Sequence, residues 1–243
     1  MNYSNDLLGK QKLNLINAWE PNYDREYGYN ESNQALILSG FSGVGKGEVC
    51  KRIQGKSIRD KPIEIVKSVT TRSSRNSKEE YIFVFDEEFE DMRQNTLFLE
   101  NASYNGDRYG TLLTSVNEIL AKYSILCLEI NHYRFKKITK RTIFSRNQIR
   151  SVFLVAPTEV IVQRLLHRGT DELYKIIELL EASIEEYRHL GSYDAVITNN
   201  NIATATNSVL KVFAGGEVAS IFNSEQYRKD METIIERLKT VCT

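Results

Sequence analysis

The stretch from Ala35 to Arg52, ALILSGFSGVGKGEVCKR, limits what this chain can fold into more than any other. A short apolar run reads as a strand, the turn Gly40-Phe41-Ser42-Gly43-Val44-Gly45-Lys46 follows, and the next residues can run on as a helix. Glycines in that setting free backbone N–H groups to converge on phosphate oxygens. Lys46 supplies a point charge, and the helix presents its positive end. The expected ligand is the polyphosphate of a nucleotide, held by Gly40, Ser42, Gly43, Val44, Gly45, Lys46 and Gly47.

With 243 residues and 41% hydrophobic side chains, the chain can build one substantial core with a small lid, but hardly two full domains. Lys plus Arg and Asp plus Glu balance at 32 each, so no global charge draws the protein to nucleic acid or membrane. Cys50, Cys127 and Cys242 are widely spaced and in no metal-ligand pattern, as reduced thiols of a cytoplasmic protein would be. No apolar run reaches membrane-spanning length, and the polar start MNYSNDLLGK lacks a secretory core. These features together predict a soluble, cytoplasmic protein.

Residues 1–33 read as a polar arm whose aromatics, Trp19, Tyr23, Tyr27 and Tyr29, would pack on the main domain. Beyond the loop, Ile63 to Val69 is β-rich and leads into Thr70-Thr71-Arg72-Ser73-Ser74-Arg75, whose two arginines form an anion fork. Tyr81 to Phe85, Phe98 to Glu100 and Asp107 to Thr111 suggest a small β-rich insertion, the usual place for a second substrate beside a phosphate loop. Ile125 to Ile130 and Ile149 to Val155 are nearly continuous apolar runs, as strands buried on both faces of a parallel sheet require. Glu129 interrupts the first near its ligand-facing end, so it should have a partner or a ligand.

Further along, Pro157 opens a helix through Arg164 and Arg168, and a second helix from Glu172 to Leu190 carries an apolar stripe. Ala195 to Thr198 reads as a strand, Ile202 to Phe213 as a helix, and residues from Asn223 as a last amphipathic helix. That helix either folds back or forms a partner interface. Alternating β and α segments argue for an α/β fold with a parallel sheet flanked by helices.

Taken together, SGFSGVGKG, SVTTRSSR, YIFV, FLE, RYGT, LEI and RLLHRGTD resemble the guanylate kinase family in order and approximate spacing, from about residue 35 to 214. The resemblance implies a P-loop NTPase-type core, an inserted β-rich GMP-binding lobe over about 68–112, and a helical lid with its following helix over about 157–190. It implies a domain over 34–214, preceded by the arm and followed by a helical extension over 215–243 that could serve a homodimer or another partner. The implied activity is transfer of the γ-phosphoryl of ATP to GMP, with Mg²⁺ as cofactor. Arg72, Arg75, Tyr81 and Tyr109 would hold the GMP phosphate, and Ser68, Glu100, Thr111 and Glu129 the base. A carboxylate at Glu100 can accept both N1–H and N2–H₂ of guanine. Lys46, Arg164 and Arg168 would carry the transfer electrostatically.

Some positions depart from the family pattern. Glu48 falls where a hydroxyl residue is usual beside the loop, Asn131 replaces an aspartate, and Leu179 stands where a further lid arginine is expected, with Lys175 one turn earlier. Residues 75–81 are also shorter than usual. These charge changes fall on the ATP side, which leaves two readings. One is an ATP:GMP phosphotransferase, and the other a guanylate-kinase-like module that binds a nucleotide or phosphorylated partner without turnover; a third, a kinase for another small phosphorylated substrate on the same fold, is weakened by Glu100 with Tyr109 and Thr111.

Overall fold

Apolar runs long enough for buried strands, each followed by a helix with one greasy face, assemble in the computed structural model into an α/β core. The structure describes residues 34–74, 80–140, 144–219 and 222–242, the side chain of Cys242 excepted, so the N-terminal arm and Arg75 lie outside the described residues. The main sheet has the order β10-β9-β1-β8-β3-β2. Its strands are β1 (Ala35–Gly40), β2 (Ser57–Ile58), β3 (Lys61–Ile65), β8 (Ile125–Glu129), β9 (Ile149–Val155) and β10 (Ala195–Thr198). All but the short β2 are parallel. Every residue of β1 is buried, as a central strand covered on both faces requires.

From β1 the chain crosses to β3, whereas from the adjacent β8 it crosses the other way to β9. Connections leaving neighbouring strands in opposite directions open a crevice at their carboxyl ends. The phosphate loop and Glu129 stand at that crevice.

A second sheet, ordered β5-β4-β7-β6, comprises β4 (Val69–Thr70), β5 (Ile82–Phe83), β6 (Phe98–Tyr104) and β7 (Asp107–Leu112). This is the expected β-rich lobe. Val69, Phe89, Phe98 and Leu112 form its own small core. The β6–β7 hairpin turns through Asn105 and Gly106, at φ of 52° and 85°, the left-handed pair an Asn-Gly turn supplies.

The lid helix runs Thr158–Arg168 and the next helix Leu173–Glu186. Pro157 caps the first rather than entering it, because its ψ of 141° is not helical. The C-terminal helix Ser224–Cys242 folds back on both. Met231 and Ile235 are buried there, and Lys239 Nζ lies 3.0 Å from Glu181 Oε1. Cys50 and Cys127 are free thiols in the core, as expected. No helix among the described residues is long and apolar enough to cross a membrane.

Candidate active site

The carboxyl ends of β1 and β8 border a cleft of about 1140 Å³. The phosphate loop forms its floor. Gly45 takes φ of 93° as it caps the helix Lys46–Ile53, and a Cβ there would meet Asn199 Nδ2 at 2.8 Å. At Gly40, with φ of 153°, a Cβ would lie 2.6 Å from the Leu154 carbonyl oxygen. Neither position admits a side chain, and both leave backbone open to a ligand. The loop is tied from outside: Asn199 Nδ2 donates to the Val44 carbonyl at 2.7 Å and Arg164 Nη1 donates to it at 3.2 Å. Lys46 Nζ donates to the carbonyls of Gly40 and Phe41 at 2.8 and 3.0 Å. Ser42, Gly43 and Gly47 line the cleft, while the Val44 side chain is buried.

Glu48, next to the loop in sequence, pairs with Arg52 at 3.2 Å on the exposed face of its helix. It does not line the cleft. The carboxylate that does stand at the loop is Glu129, since a Cβ on Gly47 would lie 3.7 Å from Glu129 Oε2. Glu129 also pushes the Tyr81 hydroxyl pKa upward, more than burial does. Thus it sits between the loop and Tyr81. Asn131 accepts a hydrogen bond from the Arg134 backbone N–H at 3.0 Å and caps the helix His132–Thr139.

On the lobe side, Arg72, Tyr81 and Tyr109 face the same cleft. The Arg72 guanidinium lies 5.5 Å from the Tyr81 ring centre, and the Tyr81 and Tyr109 rings meet edge-on at 6.2 Å. Arg72 N–H donates to Thr70 Oγ1 at 3.2 Å, and Arg108 N–H to Thr71 Oγ1 at 3.0 Å, fixing the turn that presents the arginine. On the lid side, Arg164 Nη2 donates to the Asn199 carbonyl at 3.1 Å, and Arg168 pairs with Asp171. Lys175 Nζ donates to the Asn105 carbonyl on the lobe hairpin at 3.3 Å and to Glu178 at 3.0 Å. Lid and lobe therefore touch across the cleft. Leu179 lines the cleft and is 5% exposed, so its place is apolar.

The base pocket expected from Ser68, Glu100, Thr111 and Glu129 needs correction. Ser68, Glu100 and Thr111 do come together, but around the guanidinium of Arg134. Its Nε donates to Glu100 Oε2 at 2.8 Å and its Nη2 to Glu100 Oε1 at 2.6 Å. Nη2 also reaches Ser68 Oγ at 3.0 Å and Thr111 Oγ1 at 2.9 Å, while Thr111 Oγ1 donates to Glu100 at 2.6 Å. The side chains of Arg134 and Glu100 are 4% and 0% exposed. Arg134 and Ser68 line the cleft, whereas Glu100 and Thr111 do not. The carboxylate expected to meet guanine is already a fork-to-fork partner of an arginine.

Residues 32–215 match the protein-family model for guanylate kinase. The chain belongs to the guanylate kinase family. It is 36% identical over 181 residues to a guanylate kinase of Prochlorococcus marinus, covering 73% of this chain and 95% of that relative. A guanylate kinase of Streptococcus thermophilus is 35% identical over 190 residues, covering 75% of this chain and 87% of the relative. In fold, the chain is similar to the crystal structure of the Anaplasma phagocytophilum guanylate kinase, with a TM-score of 0.56 and 24% identity over 77% of this chain and 88% of the other. The family match takes in the loop, lobe and lid, and the helix Ser224–Cys242 lies beyond it.

This guanylate kinase family member also uses three residues that motif reading passed over: Arg134 and Glu186 at the cleft, and Asn199 behind the loop. Glu186 follows Glu185 in the sequence, near the end of the helix Leu173–Glu186. It is 2% exposed, beside Tyr104 of the lobe, and its Oε2 has no hydrogen-bond partner among the described residues. Burial pushes its pKa up to about 7 against the pull of Lys46. A carboxyl raised in the fold adds stability that is complete below its ordinary value of 4.5 and lost as pH rises towards 7. Glu186→Gln should therefore leave stability unchanged near pH 4.5 and raise it by about 2–4 kcal/mol at pH 8. Thermal melts of the nucleotide-free protein at the two pH values check this. Equal melting differences at both would show that Glu186 ionises freely.

Proposed function

We propose that this chain transfers the γ-phosphoryl group of ATP to the phosphate of GMP, giving ADP and GDP. The observation that carries the reading is a convergence on one cleft. The phosphate loop with Lys46, the lid cations Arg164 and Arg168, and the Arg72-Tyr81-Tyr109 wall all face it. ATP would lay its phosphates over the loop, where backbone N–H groups and Lys46 take them. Lys46 would leave the Gly40 and Phe41 carbonyls for the β- and γ-phosphates. Across the cleft, Arg72 would grip the GMP phosphate, joined by Arg75 from outside the described residues, with the Tyr81 and Tyr109 hydroxyls as further donors. Arg164 and Arg168 would neutralise charge on the phosphoryl group in transit. The chemistry asks for positioning and electrostatics more than for covalent help.

Mg²⁺ fits this site as a companion of the nucleotide. Magnesium typically keeps several waters and binds through phosphates with one or two carboxylates, and Glu129 is the carboxylate beside Gly47. When bound, the ion would offset phosphate charge. Glu129 would orient its water shell, and the buried thiols Cys50 and Cys127 suit a reducing, cytoplasmic setting.

The alternative of a module without turnover loses much of its motive. The Glu48 carboxylate, which would have repelled the triphosphate, is bound to Arg52 away from the cleft. The test is GDP formation from ATP, Mg²⁺ and GMP by the purified chain, beside Arg72→Ala. Turnover is expected in the first, and a KM for GMP raised about a hundredfold in the second, the loss of a charge-assisted bidentate contact. Protein that binds GMP and forms no GDP above background would sink the reading.

A further inference from the structure

We propose that Arg134, rather than Glu100, reads the base, and that the substrates are 6-oxopurine nucleoside monophosphates as a class, GMP and IMP alike. The inference rests on the phosphotransfer reading above and concerns which edge of the base that site recognises.

Three observations carry it. First, Arg134 screens Glu100. The guanidinium covers both carboxylate oxygens, and Glu100 is absent from the cleft wall that Arg134 lines. Second, Arg134 is locked in place. Ser68, just before β4, and Thr111 of β7 hold Nη2 from segments remote in sequence, and the Arg134 backbone N–H is capped by Asn131 at the start of the helix His132–Thr139. Swinging it out would strand a buried carboxylate. Third, Nη1 is the one guanidinium nitrogen with no hydrogen bond to the described residues. At the place of Glu100 the wall thus offers a base a donor, where an exposed Glu100 would have offered an acceptor; the carboxylate that lines the cleft nearby, Glu129, stands at Gly47 and Tyr81.

A donor at that place selects a carbonyl oxygen. Guanine and hypoxanthine both carry O6 and N7, the acceptor pair to which arginine donates on guanine. Adenine presents an amino group at the same position, so donor would meet donor and both would lose their water partners. The 2-amino group, which alone separates guanine from hypoxanthine, was the feature Glu100 could have read. With Glu100 committed to Arg134, that discrimination goes. The transfer itself is unchanged: an oxygen of the monophosphate bonds to the γ-phosphorus, and the bond to the ADP oxygen breaks.

The experiment measures kcat/KM for GMP, IMP and AMP with the wild-type chain and with Arg134→Ala. The wild type should use IMP within about tenfold of GMP and AMP at least a hundredfold less well, whereas a site in which Glu100 reads the base would reject IMP by on the order of 10²-fold or more. Opening Glu100 in Arg134→Ala should raise the GMP:IMP ratio at least tenfold, a change that loss of fold alone does not produce. An IMP rate a hundredfold below GMP in the wild type overturns the proposal, as does an unchanged ratio in folded Arg134→Ala. If that variant does not fold, the wild-type ratio decides alone. Absence of diphosphate from all three nucleotides would fell the phosphotransfer reading instead. Equilibrium binding then decides: GMP and IMP dissociation constants within tenfold support Arg134 as the reader, and a hundredfold gap or no binding overturns it.

Discussion

Lys46→Ala is expected to lower kcat/KM for the ATP:GMP reaction by about 10³-fold while leaving the fold intact, a loss at the upper end of what one oriented donor supplies to a transition state. The two halves of that expectation have separate grounds. For the fold, the ammonium is only half-buried and bonds the carbonyls of Gly40 and Phe41, which water can reach once the side chain is gone. The loop keeps its shape through the Val44 carbonyl, which Asn199 and Arg164 both hold, and through the Arg164 bond to the Asn199 carbonyl, none of which involves Lys46. For the rate, the neighbouring cations among the described residues are placed differently: Arg164 reaches the loop from the lid and bonds the Val44 and Asn199 carbonyls, and Lys51 lines the cleft more than a helical turn beyond Lys46. Steady-state kinetics with ATP varied, alongside a thermal melt, separate the two. A fall of less than tenfold would mean that the phosphoryl group does not sit over this loop.

Glu100→Ala carries the largest stability effect. It leaves the Arg134 guanidinium, 4% exposed, with two hydroxyls and no counter-charge. Removing one partner of a buried ion pair costs about 3–5 kcal/mol, because the surviving charge stays desolvated. Against a total stability of roughly 5–15 kcal/mol that is a large share, and the melting temperature should fall by about 10 °C. Replacing both residues, as Glu100→Leu with Arg134→Leu, should return most of the loss, since an apolar pair of similar volume asks for no hydrogen bonds. The double-mutant cycle reads the coupling directly. A single-mutant cost under about 1 kcal/mol would show that water reaches the pair.

Much of the core was legible because its signals are local. The runs at 149–155 and 195–198 and the helix at 202–213 match their observed bounds to the residue, since apolar blocks end at polar caps such as Asn201. The lobe was legible as a lobe but not strand by strand. Strands β4 and β5 have two residues each, too few to show alternation, and Tyr81 to Phe85 is mostly extended chain outside them. The phosphate loop, the lid arginines and the Arg72 wall, each found as a separate motif, line one cleft. Arg134 was invisible for a different reason. A charged residue early in a helix reads as solvated, and only a carboxylate 34 residues away in sequence turns it inward. Glu186 hid likewise, as a helix charge buried by the lobe's Tyr104.

The C-terminal helix has a practical meaning for where this protein can be cut. The match to the family model ends at residue 215, yet Met231 and Ile235 beyond it are buried, on a helix that packs against the one following the lid. A chain cut after residue 215 would bare an apolar stripe along Ile177, Leu180 and Ile184 and invite self-association. The helix Ser224–Cys242 thus belongs to the packed unit, and a cut placed by the family model alone would remove the cover of the helix that follows the lid.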